Sequence, residues 1–152
     1  MARPSHEWKR VATTLFLRVP RGDWAAICAG SKTEFRASGK GARHGEHANL
    51  PKPVVAYSYL QYREEPQTAL LVLEDSWVEP LGAISAESIA REGFASMSEF
   101  RTYWITRHTS HGGGTFKPLS RVQAYRVRPW TPEDRPAMAD KLLVDLYGEF
   151  LP

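Results

Sequence analysis

Gly30-Ser31-Lys32-Thr33-Glu34-Phe35-Arg36 alternates charged and uncharged side chains, directly after the short segment Asp23-Trp24-Ala25-Ala26-Ile27. Read as a strand, its period of two puts Lys32, Glu34 and Arg36 on one face and turns Thr33 and Phe35 towards a core. Two cations and a carboxylate in a row on a rigid element can hold a polar ligand such as a nucleotide. Spacing alone favours an exposed strand face whose charges pair with one another, because such pairs are common and contribute little.

Working outward, Asp23 is placed to cap a short helix over 24–29 and Gly30 to end it. Upstream, 13–19 reads as a strand with Leu15, Leu17 and Val19 on one side, stopped by Pro20. Residues 1–12 are expected to form a flexible arm, and 13–152 a single domain. Downstream, 38–52 is a long polar loop containing Gly39, Gly41 and Gly45. Residues 53–63 alternate as a strand, with Val55, Tyr57 and Tyr59 opposed to Ala56 and Ser58. The apolar run 68–74 suits a strand buried on both faces and continues through Trp77 and Val78 to Pro80. Ser85 caps a short helix ending near Gly93. Ser96-Met97-Ser98-Glu99 is a capping box opening a second helix, whose Phe100, Tyr103 and Trp104 fit a core better than a stacking platform. Residues 122–128 form the last long strand. Thr131-Pro132-Glu133-Asp134 starts a final helix, buried through Met138, Leu142, Leu143 and Leu146 and ended by Gly148. This order predicts an α+β fold: a small mixed β-barrel of five to six strands, with short helices packed around it and a C-terminal helix.

The 152 residues are 42% hydrophobic. That suits one domain, burying roughly 68–70% of its unfolded surface. No apolar run reaches the ~20 residues of a membrane span, and no signal-peptide apolar stretch follows the charged N-terminus. One cysteine, Cys28, excludes an internal disulfide framework and is expected to be a small buried hydrophobe. A cytoplasmic protein is the simplest expectation. The net charge is +3 and the pI about 9.1. Arg36, Lys40, Arg43 and Lys52 fall in or beside the Gly-rich loop, and Arg121, Arg126, Arg128 and Arg135 near the last strand. Basic stripes of this kind suit a phosphate backbone.

His44/His47 and His108/His111 are His-x-x-His pairs, but both sit in loops with no ligand spacing completed, so neither metal nor cofactor is expected. His111-Gly112-Gly113-Gly114 has no Gly-x-Ser-x-Gly partner, and Gly39-Lys40-Gly41 continues into no phosphate-binding fingerprint. Glu74 and Asp75 face opposite ways on a strand. Glu92, beside Gly93-Phe94, is poorly placed for the dipole at a helix C-terminus. It is either paired with a cation, held for function, or an exposed turn residue.

Three places together resemble the ASCH domain, a relative of the PUA and EVE domains. Gly30-Ser31-Lys32-Thr33-Glu34-Phe35-Arg36 is similar to the family's Gly-x-Lys-Thr-x-Glu-x-Arg signature. Leu81 to Ile84 and Ala90-Arg91-Glu92-Gly93-Phe94, then Glu99, Phe100 and Trp104, resemble its Glu-Gly-Phe helix pair. Val122 to Val127 resembles its closing strand. The likeness spans roughly 13–130. It implies a small β-barrel with a cleft between barrel and helices, and binding of RNA or a modified nucleoside. Some members are amidohydrolases of acylated cytidine; carried over, Lys32 and Glu92 match the catalytic lysine and glutamate. The catalytic threonine falls three residues after the lysine, where this chain has Phe35, and Thr33 is a different motif position. The signature also has one more residue between Lys and Glu-x-Arg than this chain, so a bulge or altered register is expected in the strand.

The favoured expectation is a binding module for RNA, single-stranded nucleic acid or a free modified nucleoside, as a monomer or weak dimer with no membrane contact. Lys32 and Arg36 contact phosphate or base oxygens, Glu34 or Glu92 accepts from an exocyclic amine, and Trp24 or Tyr57 stacks on the base. Lys40, Arg43, Arg126 and Arg128 follow the backbone. The alternative is a small amidohydrolase or ribonuclease, with Lys32 as base, Glu92 as its partner and Thr33 or water as nucleophile. A third is an adaptor that uses the C-terminal helix.

Overall fold

The computed structural model describes residues 16–38, 50–59, 65–108 and 115–134. The expected arm, most of the Gly-rich loop with Lys40 and Arg43, and the final helix beyond Asp134 lie outside these residues. Strand β1 (Phe16–Arg18) leads through a 3-10 turn (Arg21–Asp23) into helix α1 (Trp24–Ala29). Strands β2 (Glu34–Ser38), β3 (Lys52–Ser58) and β4 (Gln67–Pro80) follow. A second 3-10 turn (Leu81–Ala83), α2 (Ala86–Arg91), α3 (Met97–His108) and β5 (Arg121–Pro129) complete the described fold. The strands form one mixed sheet in the order β1-β3-β4-β5-β2, curled into a half-barrel. Among the described strands only β1 and β3 pair in parallel. The fold is the expected α+β small barrel.

Local chemistry sets the path into β2. Gly30 adopts φ +81°, a left-handed conformation that glycine takes without steric penalty. Its N–H donates to Ile27 O, and the N–H of Ser31 donates to Ala26 O, closing α1. The Thr33 carbonyl then accepts from Val127 N–H at 2.9 Å, and β2 pairs with β5 without a register shift from Glu34 to Ser38. The bulge or altered register expected in this strand is therefore absent from Glu34 to Ser38.

The sheet separates two cores. Phe35 stacks on Tyr125 at 5.1 Å and joins Leu17, Val19, Ile27, Val54, Ala56, Leu71, Leu73 and Val127 on one face. Val122 points the other way, into a second core with Leu81, Ile84, Ile89, Phe100 and Trp104. Helices α2 and α3 cover that second face. Their starts follow the sequence signals. Ser85 Oγ accepts from Ser88 N–H, Ser96 Oγ from Glu99 N–H, and the Glu99 carboxylate from Ala95 N–H.

A β-bulge in β4 decides which side chains meet those helices. The β4–β5 register shifts between Leu73 and Asp75. Before the shift, Leu73 sits opposite Val127, in the first core. After it, Asp75, Trp77 and Glu79 sit opposite Arg126, Ala124 and Val122. Those partners face α2 and α3, so the odd-numbered residues of β4 change sides at the bulge.

Candidate functional site

Lys32, Glu34 and Arg36 share a face as the spacing predicts, but that face is covered rather than exposed. Their relative exposures are 5%, 0% and 0%. The helices over the second sheet face account for this, and a buried charge needs a partner. Arg36 has three carboxylates. Its Nε and Nη2 donate to Glu79 Oε1 at 2.9 and 2.5 Å, and Nη2 also reaches Glu34 Oε1 at 3.2 Å. Its Nη1 lies 3.2 Å from Glu92 Oε2. That last contact has ion-pair distance without hydrogen-bond alignment, and both atoms are buried without a hydrogen-bond partner among the described residues. The second oxygen of Glu34 receives Arg91 Nη1 and Arg126 Nε, each at 3.2 Å. Trp77 lies against this group, 5.8 Å from the Arg36 guanidinium and 5.2 Å from that of Arg126.

Lys32 occupies the other half of the cluster. Its Nζ donates to Asp23 Oδ1 at 2.9 Å and sits over the rings of Phe94 and Tyr103. The Tyr103 hydroxyl donates to the same carboxylate, at 2.8 and 2.9 Å from its two oxygens. Burial, above all, pushes the Tyr103 phenol upward, and Asp23 adds to this against the pull of Arg107. Asp23 stands at the helix N-cap as expected, but its side chain makes no capping bond. The carboxylate is spent on Lys32 and Tyr103 instead. Arg107 ties α3 to β2 by donating to the Arg36 carbonyl at 2.9 Å.

Glu92 follows the last turn of α2 and is 2% exposed, so it is not an exposed turn residue. Burial raises its pKa from an ordinary 4.5 to about 7, against the lowering effect of Arg36 and Lys32. The folded chain thus holds this proton more tightly than the unfolded chain. The resulting stability is full below pH 4.5 and is lost as pH rises through about 7. Glu92→Gln keeps the shape without the ionisation. Its stability should match wild type near pH 4.5 and exceed it by about 3 kcal/mol above pH 7, since each tenfold difference in proton affinity between folded and unfolded chain is worth ~1.4 kcal/mol. Urea denaturation of both proteins at pH 4.5 and 8 checks this, and a gap that does not change with pH would contradict it.

The structure thus brings Glu92, at the end of α2, to the cluster of Lys32, Glu34 and Arg36, which share one stretch of chain. Thr33 continues the ladder opposite Val127, on the face away from them. Trp24 is half-buried on α1 and packs against the first core. Tyr57, on β3, meets Tyr59 edge-on, with β4 and β5 lying between β3 and β2 in the sheet. Arg126 belongs to the cluster. Arg128 instead grips Asp134 through bonds of 2.9 and 2.7 Å and lies 3.8 Å from Glu74. Cys28 is half-buried rather than buried, and burial pushes its thiol up.

Asp23, Trp77, Glu79, Arg91 and Tyr103 enter the site without having been singled out for it. Asp23 and Tyr103 carried a visible signal, as a cap residue and a helical aromatic, that pointed to a different job. Among the described residues, no three of His, Cys, Asp and Glu gather as a metal site, and no helix is long and apolar enough to cross a membrane. His44, His47 and His111 lie outside these residues. A cavity of about 260 Å³ lined by Ile84, Ala86, Ile89, Ala95, Ser96 and Met97 holds none of the ion cluster.

No family model and no curated protein matches the chain. Among solved structures, it is similar to an ASCH domain from Lactobacillus crispatus JV V101, with TM-score 0.49 and 12% identity over 82% of this chain and 84% of that one. It is also similar to a protein of Enterococcus faecalis V583 described under DUF984, with TM-score 0.48 and 12% identity over 76% and 72%.

Proposed function

We propose that this chain is an ASCH-like module that binds a nucleobase, in a modified nucleoside or in RNA, at the ion cluster between the half-barrel and helices α2 and α3. The observation that carries this reading is the pair Arg36 Nη1 and Glu92 Oε2. A donor and an acceptor lie 3.2 Å apart, buried, and neither is used in a hydrogen bond among the described residues. Leaving such groups unmet costs about 1–3 kcal/mol each, which a ligand that meets both would recover. A base edge offers the complement, an exocyclic amine beside a ring nitrogen or carbonyl. Both protein atoms are buried, so the base enters when a half-buried aromatic, Trp77 over Arg36 or Phe94 over Lys32, swings aside. The displaced ring can then stack on the base.

The test is calorimetric titration of the full chain with ribonucleosides, N-acetylcytidine and short single-stranded RNA. Binding of at least one is expected, weakened about tenfold or more in Glu92→Ala, the effect of one hydrogen bond to a charged group. RNA affinity should fall steeply with salt, in proportion to the phosphates contacted. No binding of any of these at low salt would refute the proposal.

One observation favours the hydrolase as a second reading. A carboxyl group with pKa near 7 suits general acid–base catalysis. Against it, Lys32 is engaged by Asp23 and Thr33 faces away from the cluster. Acetate release from N-acetylcytidine is therefore expected to stay at background. Robust turnover abolished by Lys32→Ala would put the hydrolase first.

A further inference from the structure

We infer that Arg91 and Arg126 form a phosphate clamp at the rim of the ion cluster, so that the ligand is a nucleotide, free or within RNA, rather than a bare nucleoside. The inference rests on the nucleobase reading for what lies inside the clamp, and on separate contacts for the clamp itself.

Arg91 ends α2 and Arg126 lies in β5, yet both reach one atom. Arg91 Nη1 and Arg126 Nε each lie 3.2 Å from Glu34 Oε2. The two donor nitrogens are therefore within two hydrogen-bond lengths of each other. Glu34 is wholly buried, whereas the Arg91 and Arg126 side chains are 40% and 34% exposed. Each guanidinium so gives one nitrogen to a fixed anchor, out of five N–H groups in all, on a side chain that is partly open to solvent. Holding two long side chains in place beforehand lowers the entropy lost when a ligand binds.

Neutralising Glu34 does not account for this arrangement. One cation suffices for one carboxylate, and Glu34 already has Arg36 Nη2 on its other oxygen. Arg36 is shared with Glu79 and Glu92, but Arg91 and Arg126 meet no carboxylate except Glu34 among the described residues. Three arginines thus face three carboxylates, but two of those carboxylates lie on Arg36, so the positive side of the cluster is the rim, where it attracts an anion. Two adjacent forks match the several oxygens of a phosphate better than they match a single carboxylate. The Trp77 ring, 5.2 Å from the Arg126 guanidinium, places an aromatic surface between clamp and cluster. That is the order of phosphate, stacking ring and base edge that a nucleotide requires.

The experiment titrates the full chain at fixed ionic strength with the four common ribonucleosides, their 5′-monophosphates, a dinucleoside monophosphate and inorganic phosphate. Wild type should bind a monophosphate or the dinucleotide about tenfold or more tightly than the nucleoside, the effect of one charge-assisted contact. Arg91→Gln and Arg126→Gln should each erase most of that preference, weakening nucleotide binding by a larger factor than nucleoside binding. Arg91→Lys, which keeps the charge and loses the fork, should restore only part of it. Thermal melts of each variant confirm that the fold is intact. Equal wild-type affinity for nucleoside and nucleotide would overturn the clamp and leave the nucleobase reading standing. Binding of inorganic phosphate alone, lost in both Gln variants, would support the clamp and sink the nucleobase reading. Nucleotide preference unchanged in both variants would also overturn the clamp.

Discussion

Arg36→Ala is expected to unfold this protein at neutral pH. The guanidinium is fully buried and is the shared partner of Glu34, Glu79 and Glu92. Removing one member of a buried ion pair typically costs about 3–5 kcal/mol, because the other charge is left uncompensated. Here three carboxylates lose the same cation, against a total stability of about 5–15 kcal/mol for an ordinary domain. Glu34 keeps Arg91 and Arg126, so the heaviest loss falls on Glu79 and Glu92. The defect should ease on acidification, because Glu92 takes up a proton below about pH 7. Adding Glu92→Gln to Arg36→Ala should recover part of the loss at pH 8. Arg36→Lys should recover little, since an ammonium cannot bridge three carboxylates as a fork. Circular-dichroism melts at pH 5 and 8 are the measurement. An Arg36→Ala protein that melts within a few degrees of wild type at pH 8 would show that the cluster does not hold the helices to the sheet.

Inserting one alanine between Ser76 and Trp77 should be just as severe. The insertion moves the rest of β4 one residue along β5, beyond the bulge. Trp77 and Glu79 would then turn to the face of the first core, and Val78 would turn towards α2 and α3. Glu79 would leave Arg36 on the other side of the sheet. Deleting Glu74 should be far milder, because it removes the extra residue of the bulge and leaves Leu73 opposite Val127 and Asp75 opposite Arg126. Soluble expression and near-ultraviolet circular dichroism distinguish the two variants. An insertion protein with wild-type tryptophan signals would mean that β4 had absorbed the added residue in a second bulge.

These cases show what a single sequence exposes. The common face of Lys32, Glu34 and Arg36 is legible because strand periodicity is local. Ser85 and Ser96 are legible because a cap lies within three residues of its partner. Glu92 stands out because a carboxylate opposes the helix dipole at that end. The burial of the charges is not legible, because it depends on helices that arrive far along the chain. Asp23 misleads because an acid before a helix has a ready local use, and here the carboxylate takes distant partners instead. Tyr103 misleads because core aromatics and site aromatics share one helical spacing. Glu79 is hidden by the bulge, which changes the parity of β4 without a glycine or proline to mark it.

The strand order also has a consequence in time. The site closes through contacts between residues far apart in the chain: Arg36 to Glu79 spans 43 positions, Tyr103 to Asp23 spans 80 and Arg126 to Glu34 spans 92. Strand β2 is made early in synthesis, but its only neighbour among the described strands is β5, the last of them. Until β5 leaves the ribosome, Lys32, Glu34 and Arg36 have no covered face to occupy and remain hydrated. Contacts of such long range slow folding, because the loop must close before any pairing rewards it. The nascent chain therefore carries a strand of charges with no binding function, and the site comes into being in the same step that completes the sheet.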